Sequence, residues 1–221
     1  MSYLYETHCH ASRCSRCAHS TPAELVHAYH RAGYAGLVLT DHFVLGNTAV
    51  DTSLPWEAQV RQYQEAFLEA KEAARGLDFD VIFSIEHACE GTEYLCYGIT
   101  PELLLSTPEI PTMSLEAFSH WAHGHDVLVI QAHPYRWEPA GTPLRWDLLD
   151  GIEVFNASND QRANDAAHAA VLPGKILTSG GDIHRADDPR IGSAGIRLPY
   201  RVHTEQALAN ALRQNHHRLH K

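Results

Sequence analysis

Eight side chains that can bind metal fall just after apolar runs in this 221-residue chain. They are His8 and His10, Asp41 and His42, Glu86, His133, and Asp182 with His184. Imidazole and carboxylate are the groups that hold divalent transition ions. His8 and His10 stand two apart, so on a strand both side chains project from one face and can reach one ion. Asp182 and His184 repeat the spacing. A single pair of this kind is weak evidence in a chain with 17 histidines, as many as its lysines and arginines together. The register carries more weight, because each group sits at the C-terminal end of a strand candidate. In a βα barrel those ends converge on one face, where active sites lie. Glu86 leaves the apolar run 81–85, and a carboxylate buried there must be paired or metal-bound. The pattern predicts one shared metal site.

The elements that must position these groups can be read from apolar periodicity. Strand candidates cover residues 3–6, 36–40, 81–85, 94–99, 127–131, 151–155 and 175–179. Helices are expected over 22–32, 56–75, 114–123 and 159–170, with a last one capped by Thr204. Thr21-Pro22-Ala23-Glu24 reads as a capping box with proline at the first helical position. Gly33 and Gly76 stop the first two helices, and Ser114 caps the third. Strands alternating with helices predict parallel βα units, and an α/β class. Six or seven such units in one domain over residues 1–221 fit a closed or distorted barrel, with a doubly wound open sheet as the alternative.

Composition sets further bounds. Hydrophobic residues at 44% and charged residues at 20% support a core and exclude disorder. No apolar run approaches the roughly 20 residues of a membrane span, so no membrane partner is expected. MSYLYETHCH has neither the basic start nor the apolar core of a signal peptide. Cys9, Cys14, Cys17, Cys89 and Cys96 are odd in number, which predicts reduced thiols and a cytoplasmic location. Seventeen basic against 27 acidic residues give a net charge of −10, which argues against a long nucleic acid as partner. The basic residues are 14 arginines and 3 lysines, and arginine's planar fork suits phosphate. Cys9, Cys14 and Cys17 match the C-x4-C-x2-C spacing of plant-type iron–sulfur proteins. Cys9, however, must face away from His8 and His10 on a strand. The histidine-rich tail 215–221 lies beyond the last helix, is expected to fray, and is not counted as a site.

The segments THCHAS, LTDH, SIEHACE, QAHPYR and GGDIH occur in that order across residues 7 to 184. Together they make the chain resemble the polymerase and histidinol phosphatase (PHP) family of metal-dependent phosphoesterases. EYLCYG and QAHPYR look most like its small, stand-alone bacterial members. The resemblance implies a distorted seven-stranded (β/α)7 TIM-like barrel of PHP type with two or three divalent ions, zinc, manganese or iron. It implies that His8, His10, Glu86 and Asp182 hold a first ion. Glu86 would bridge to a second ion, held also by His133 and Glu93. His42 and His184 would hold a third. Asp41, which would support a ligand or handle a proton, and His184 become the catalytic candidates. Two departures stand out. Glu93 occupies a position that is histidine in many members, and a carboxylate favours harder manganese or iron. In the family the third ion usually draws one more ligand from the loop after the first motif, here ASRCSRCAHS, where Cys17 and His19 are the candidates.

Adjacent divalent ions lower the pKa of a bridging water, so the chemistry expected is in-line attack of hydroxide on phosphorus. The ions also neutralise charge growing on the phosphoryl oxygens. Arg136 and Arg185 follow ligand segments and are the first candidates to grip the substrate phosphate, with Arg13 and Arg16 next. The acidic surface points to a small phosphorylated metabolite or nucleotide. Two other readings use the same residues. One is a non-catalytic metal-binding or regulatory module. The other is an amidohydrolase-type enzyme cutting C–N bonds, although no lysine stands at a strand end to bridge the ions. The oligomeric state cannot be read.

Overall fold

The computed structural model describes residues 2–137 and 144–221. The chain runs β1 (Tyr3–Cys9), α1 (Pro22–Arg31), β2 (Gly36–Leu39), α2 (Trp56–Ala73), β3 (Asp80–Phe83), β4 (Glu86–Cys89), β5 (Thr92–Tyr97), α3 (Pro101–Ser106), a 3-10 turn (Ile110–Thr112) and α4 (Leu115–Gly124). It continues through β6 (Leu128–Gln131), β7 (Gly151–Asn156), α5 (Gln161–Ala169), β8 (Ile176–Gly180), β9 (Gly195–Leu198), α6 (Glu205–Arg213) and β10 (Arg218–His220). The predicted caps form. Thr21 and Glu24 close the capping box on α1 with Pro22 in the first turn, and Ser114 and Thr204 cap α4 and α6. Each satisfies amide hydrogens that have no partner inside the helix.

The strands are buried on both faces, as expected when helices cover a largely parallel sheet. Leu37, Leu39, Val81, Phe83, Val127 and Val129 face an outer layer shared with Leu25 and Tyr29 of α1, with Tyr63 and Ala66 of α2 and with Phe118 of α4. Tyr5, Val38, Ile82, Leu95, Tyr97, Leu128 and Ile130 face inward, where Leu208, Ala209 and Leu212 of α6 pack against them. That amphipathic helix supplies apolar side chains to the interior, while the polar groups collect at the C-terminal ends of the strands.

The α/β class is as expected, but the ladders differ from a closed seven-stranded barrel. Among the described residues they form two five-stranded sheets, ordered β10-β9-β1-β2-β3 and β4-β5-β6-β7-β8. Two isolated parallel bridges, Cys9 with Ile183 and His42 with Glu86, join them. Both bridges involve segments that carry the polar cluster. Four pairings are antiparallel on top of this: β4 with β5, β5 with β6, and β9 with both β1 and β10. The expected fraying of the tail is also corrected. Arg218–His220 pairs with β9, and Ser179 Oγ donates to the His220 carbonyl. Backbone pairing holds the tail where composition alone predicted none.

Candidate metal centre

A bulge in β1 determines which way its histidines point. The register of β1 against β2 shifts between Glu6 and Cys9. Glu6 Oε1 accepts hydrogen bonds from the Thr7, His8 and Gly181 amides, and Oε2 accepts one from Tyr29 of α1. After the bulge His8 and His10 face the polar cluster, while Cys9 turns to the outer core and donates to the Val38 carbonyl. A Cβ on Gly180 would stand 2.5 Å from His8 Cβ, and one on Gly181 would stand 2.6 Å from Glu6 Oε2. Two glycines therefore let β8 approach β1, and Asp182 follows in the left-handed region at φ 52°.

Four overlapping groups of donors result: His8, His10 and Asp182; His8, Glu86 and His133; His42, Glu86 and Glu93; and His10, His42 and His184. Within each, the donor atoms lie within 4.8 Å of one another. All eight ligand candidates named from the sequence resemblance are thus gathered in one neighbourhood. His8 Nε2 lies 3.1 Å from His10 Nε2 and 3.2 Å from Glu86 Oε1. His133 Nε2 lies 3.0 Å from the same Glu86 oxygen. His42 Nδ1 and Glu86 Oε2 are 2.7 Å apart without hydrogen-bond alignment, so both buried atoms lack a partner. Ring nitrogens and carboxylate oxygens facing one another in a buried cluster are what a cation needs and what a hydrogen-bond network avoids. The donor set fits divalent ions.

The other ring nitrogens are held from outside, which fixes which nitrogen faces inward. His8 Nδ1 lies 3.0 Å from Glu153 Oε1, and His184 Nδ1 lies 3.0 Å from the Asp182 carbonyl. Ser15 Oγ lies 3.4 Å from His10 Nδ1, accepts from the His42 amide and donates to Asp41 Oδ1. Asp41 also accepts from the Ala11 amide. Burial pushes its carboxyl up to about 7, against the pull of those two donors. Burial brings His10 down to about 3, which keeps its lone pair available. It also pushes the Glu86 carboxyl up, but the charge of His8 and the hydrogen bond from His133 hold it well below the usual range. Asp182 is likewise held well below its usual range by His8, His10 and Arg136 despite burial.

The remaining candidates separate. Arg136 reaches the centre, 2.6 Å from Asp182 Oδ2, and donates to Asn156 and Asn159. Arg13 pairs with Glu65 and Glu69 of α2, and Arg185 with Asp187. Arg16 is exposed. His19 and Arg185 line a separate cleft with Glu24 and Arg31. Cys17 lies beside the third group. Burial pushes its thiol up, but hydrogen bonds to His184 and His42 bring it down to about 6. Cys14 is buried near the Gln62 carbonyl, so the three cysteines of the iron–sulfur spacing have different surroundings. Sequence reasoning missed Glu153, which touches His8, the His133 amide and Asn156. Its signal was a lone carboxylate inside the buried run GIEVFN.

No family model and no curated protein matches the sequence. Solved structures do share the fold. A two-domain protein from Bacteroides vulgatus, containing a predicted PHP-like metal-dependent phosphoesterase, is 14% identical over 99% of this chain and 64% of its own, with a TM-score of 0.66. Endonuclease Q, in complex with a 27-mer duplex bearing an abasic lesion at the active site, is 12% identical over 97% of this chain and 57% of its own, with a TM-score of 0.66. An amidohydrolase from Chromobacterium violaceum, with bound sulfate and no metal, is 16% identical over 81% of this chain and 87% of its own, with a TM-score of 0.54. The chain therefore spans less than two thirds of the first and the second. Its fold is that of the PHP-like metal-dependent phosphoesterases, and it carries a donor set for divalent ions.

One expectation is overturned. Net charge argued against a long nucleic acid, yet endonuclease Q holds duplex DNA on this fold. Net charge averages the whole surface, whereas a bound strand meets the potential of one site, which cations can invert.

Proposed function

We propose that this chain is a metal-dependent phosphoesterase of the PHP family. It acts as one catalytic unit over residues 1–221 on phosphate esters, free or within a polynucleotide. The carrying observation is Glu86, whose carboxylate faces His8, His42 and His133 at once and belongs to two donor groups. Two or three ions are assigned, the first to His8, His10, Glu86 and Asp182, the second to Glu86, Glu93 and His133. The third goes to His42 and His184 with Cys17. Bound ions supply Lewis-acid polarisation of a phosphoryl oxygen and an activated water.

The chain's own residues do the rest. Glu153 and Ser15 hold His8 and His10 in orientation. Asp41 acts through Ser15 as a positioning group. Arg136, held by Asn156, Asn159 and Asp182, is our choice to meet phosphate oxygens. With three ions bound His184 is a ligand; with two it stands half-buried at the rim, free for proton transfer to the leaving oxygen. All five cysteines are free thiols, which fits a reducing cytoplasm. Among the described residues no helix is long and apolar enough to cross a membrane.

The amidohydrolase alternative needs a bridging lysine of the usual kind, and Lys175 instead donates to the Trp146 and Leu149 carbonyls. The test is product analysis after chelation and reloading with manganese, zinc or iron. Phosphate release from p-nitrophenyl phosphate, or p-nitrophenol from its bis ester, supports the reading. Release of ammonia or a carboxylate from amide substrates without phosphoesterase turnover overturns it, and metal binding without any turnover supports the non-catalytic module.

A further inference from the structure

The Glu93–His133 flank of the centre opens into a cleft of about 330 Å³. Glu93 and His133 belong to its lining, with Leu45, Gly46, Ala88, Gly91, Tyr135 and Trp137 around them. The indole of Trp137 is 83% exposed and Leu45 is 55% exposed. No other large apolar side chain among those described is as exposed as Trp137. The Arg136 guanidinium lies over the Trp137 ring, 5.9 Å from its centre. Arg136 is itself tied to Asn156, Asn159 and Asp182. The aromatic platform is therefore coupled to the residue that touches the centre. The hairpin side of the cleft is kept low by Ala88 and Gly91, and a Cβ on Gly91 would meet nothing within 4 Å.

A pocket with a charged floor and an aromatic, apolar mouth fits a ligand that is anionic at one end and flat at the other. We infer that the cleft takes the nucleobase of a nucleotide whose phosphate lies at the metal centre, with Trp137 as the stacking surface and Leu45 also in the lining. This rests on the phosphoesterase reading and adds the substrate class. The shared chemistry is a base joined through a pentose to a phosphate, whether a free nucleotide or one residue of a strand. Stacking on an aromatic side chain tolerates every base, so preference between bases is expected to be slight.

The test is calorimetric binding to the metal-loaded full chain, with four probes: inorganic phosphate, ribose 5-phosphate, AMP and a six-residue single strand of thymidylate. AMP is expected to bind roughly tenfold more tightly than ribose 5-phosphate. Trp137→Ala should abolish that advantage while phosphate affinity stays unchanged, and Trp137→Phe should keep most of it. Thymidylate binding more tightly than AMP supports a polynucleotide source, and equal or weaker binding supports a mononucleotide. Equal affinity of wild type for AMP and ribose 5-phosphate overturns the inference, as does a full AMP advantage in Trp137→Ala. If phosphate and ribose 5-phosphate bind but AMP gains nothing, the phosphoesterase reading survives and this one falls. If no phosphate compound binds, both fall.

Discussion

The two ends of the donor cluster are built from different chemistry. At one end Glu86 and Glu93 offer two carboxylates, with His133 3.0 Å from the first and 3.5 Å from the second, beside the Trp137 cleft. At the other, His10, His42 and His184 offer three imidazoles with the Cys17 thiol at hand. Oxygen donors favour manganese or iron(II), while imidazole and thiolate favour zinc. A hard-metal preference from Glu93 would then apply to one end of the cluster, not to the whole. Glu86 and His42 join the ends, since both belong to the group that includes Glu93 while His42 also belongs to the other.

If the ends are joined through Glu86, Glu86→Gln should remove more than one ion per chain and lower turnover at least ~10²-fold, read by elemental analysis and kcat. Full metal content in that variant would dissolve the comparison. Glu153→Gln, which loosens His8 without removing a donor, should weaken metal affinity by ~10- to 100-fold in a chelator competition. The ends should then separate by metal. Glu93→His should shift manganese or iron toward zinc at its end, and Cys17→Ser should lower zinc retention at the other. Identical metal profiles for the two variants would show one uniform centre. The smallest effect concerns metal-free protein. With its thiol down at about 6, Cys17 gains thiolate as pH rises through that value, so its alkylation by iodoacetamide should reach half its plateau rate near pH 6. His184→Ala should move that midpoint upward, and Cys14, pushed far up by burial, should stay unreactive.

Seven of the eight donor residues were legible because strand ends deliver side chains to one face whatever the sheet's closure, whereas Glu93, near the start of β5, came only with the family resemblance. What holds them was not. Glu6 looks like an ordinary strand residue, and its role depends on Tyr29 and Gly181, which only the fold brings near. The strand β4 was missed because Glu86 and His87 break its apolar run. Glu86 enters the centre, whereas His87 turns outward against Phe118 and Phe43, both ring nitrogens without partners and its pKa brought down to about 4 by burial. The short β9 and β10 carry too little periodicity to be seen. Among the arginines, the sequence showed proximity to ligand segments but not the acidic neighbours in space. Those neighbours give Arg13 to Glu65 and Glu69, and Arg185 to Asp187, and leave Arg136 at the centre.

Glu6 ties helix α1, the first strand and the glycine turn after β8 to one carboxylate. His8 and Asp182 hang from that knot, one near each end of the chain. Ions held by both would act as a rivet between segments far apart in sequence, and would stabilise the fold against unfolding the more their concentration exceeds their dissociation constant. Stripping the metal should therefore soften the whole molecule, starting with the seam where β1 meets β8.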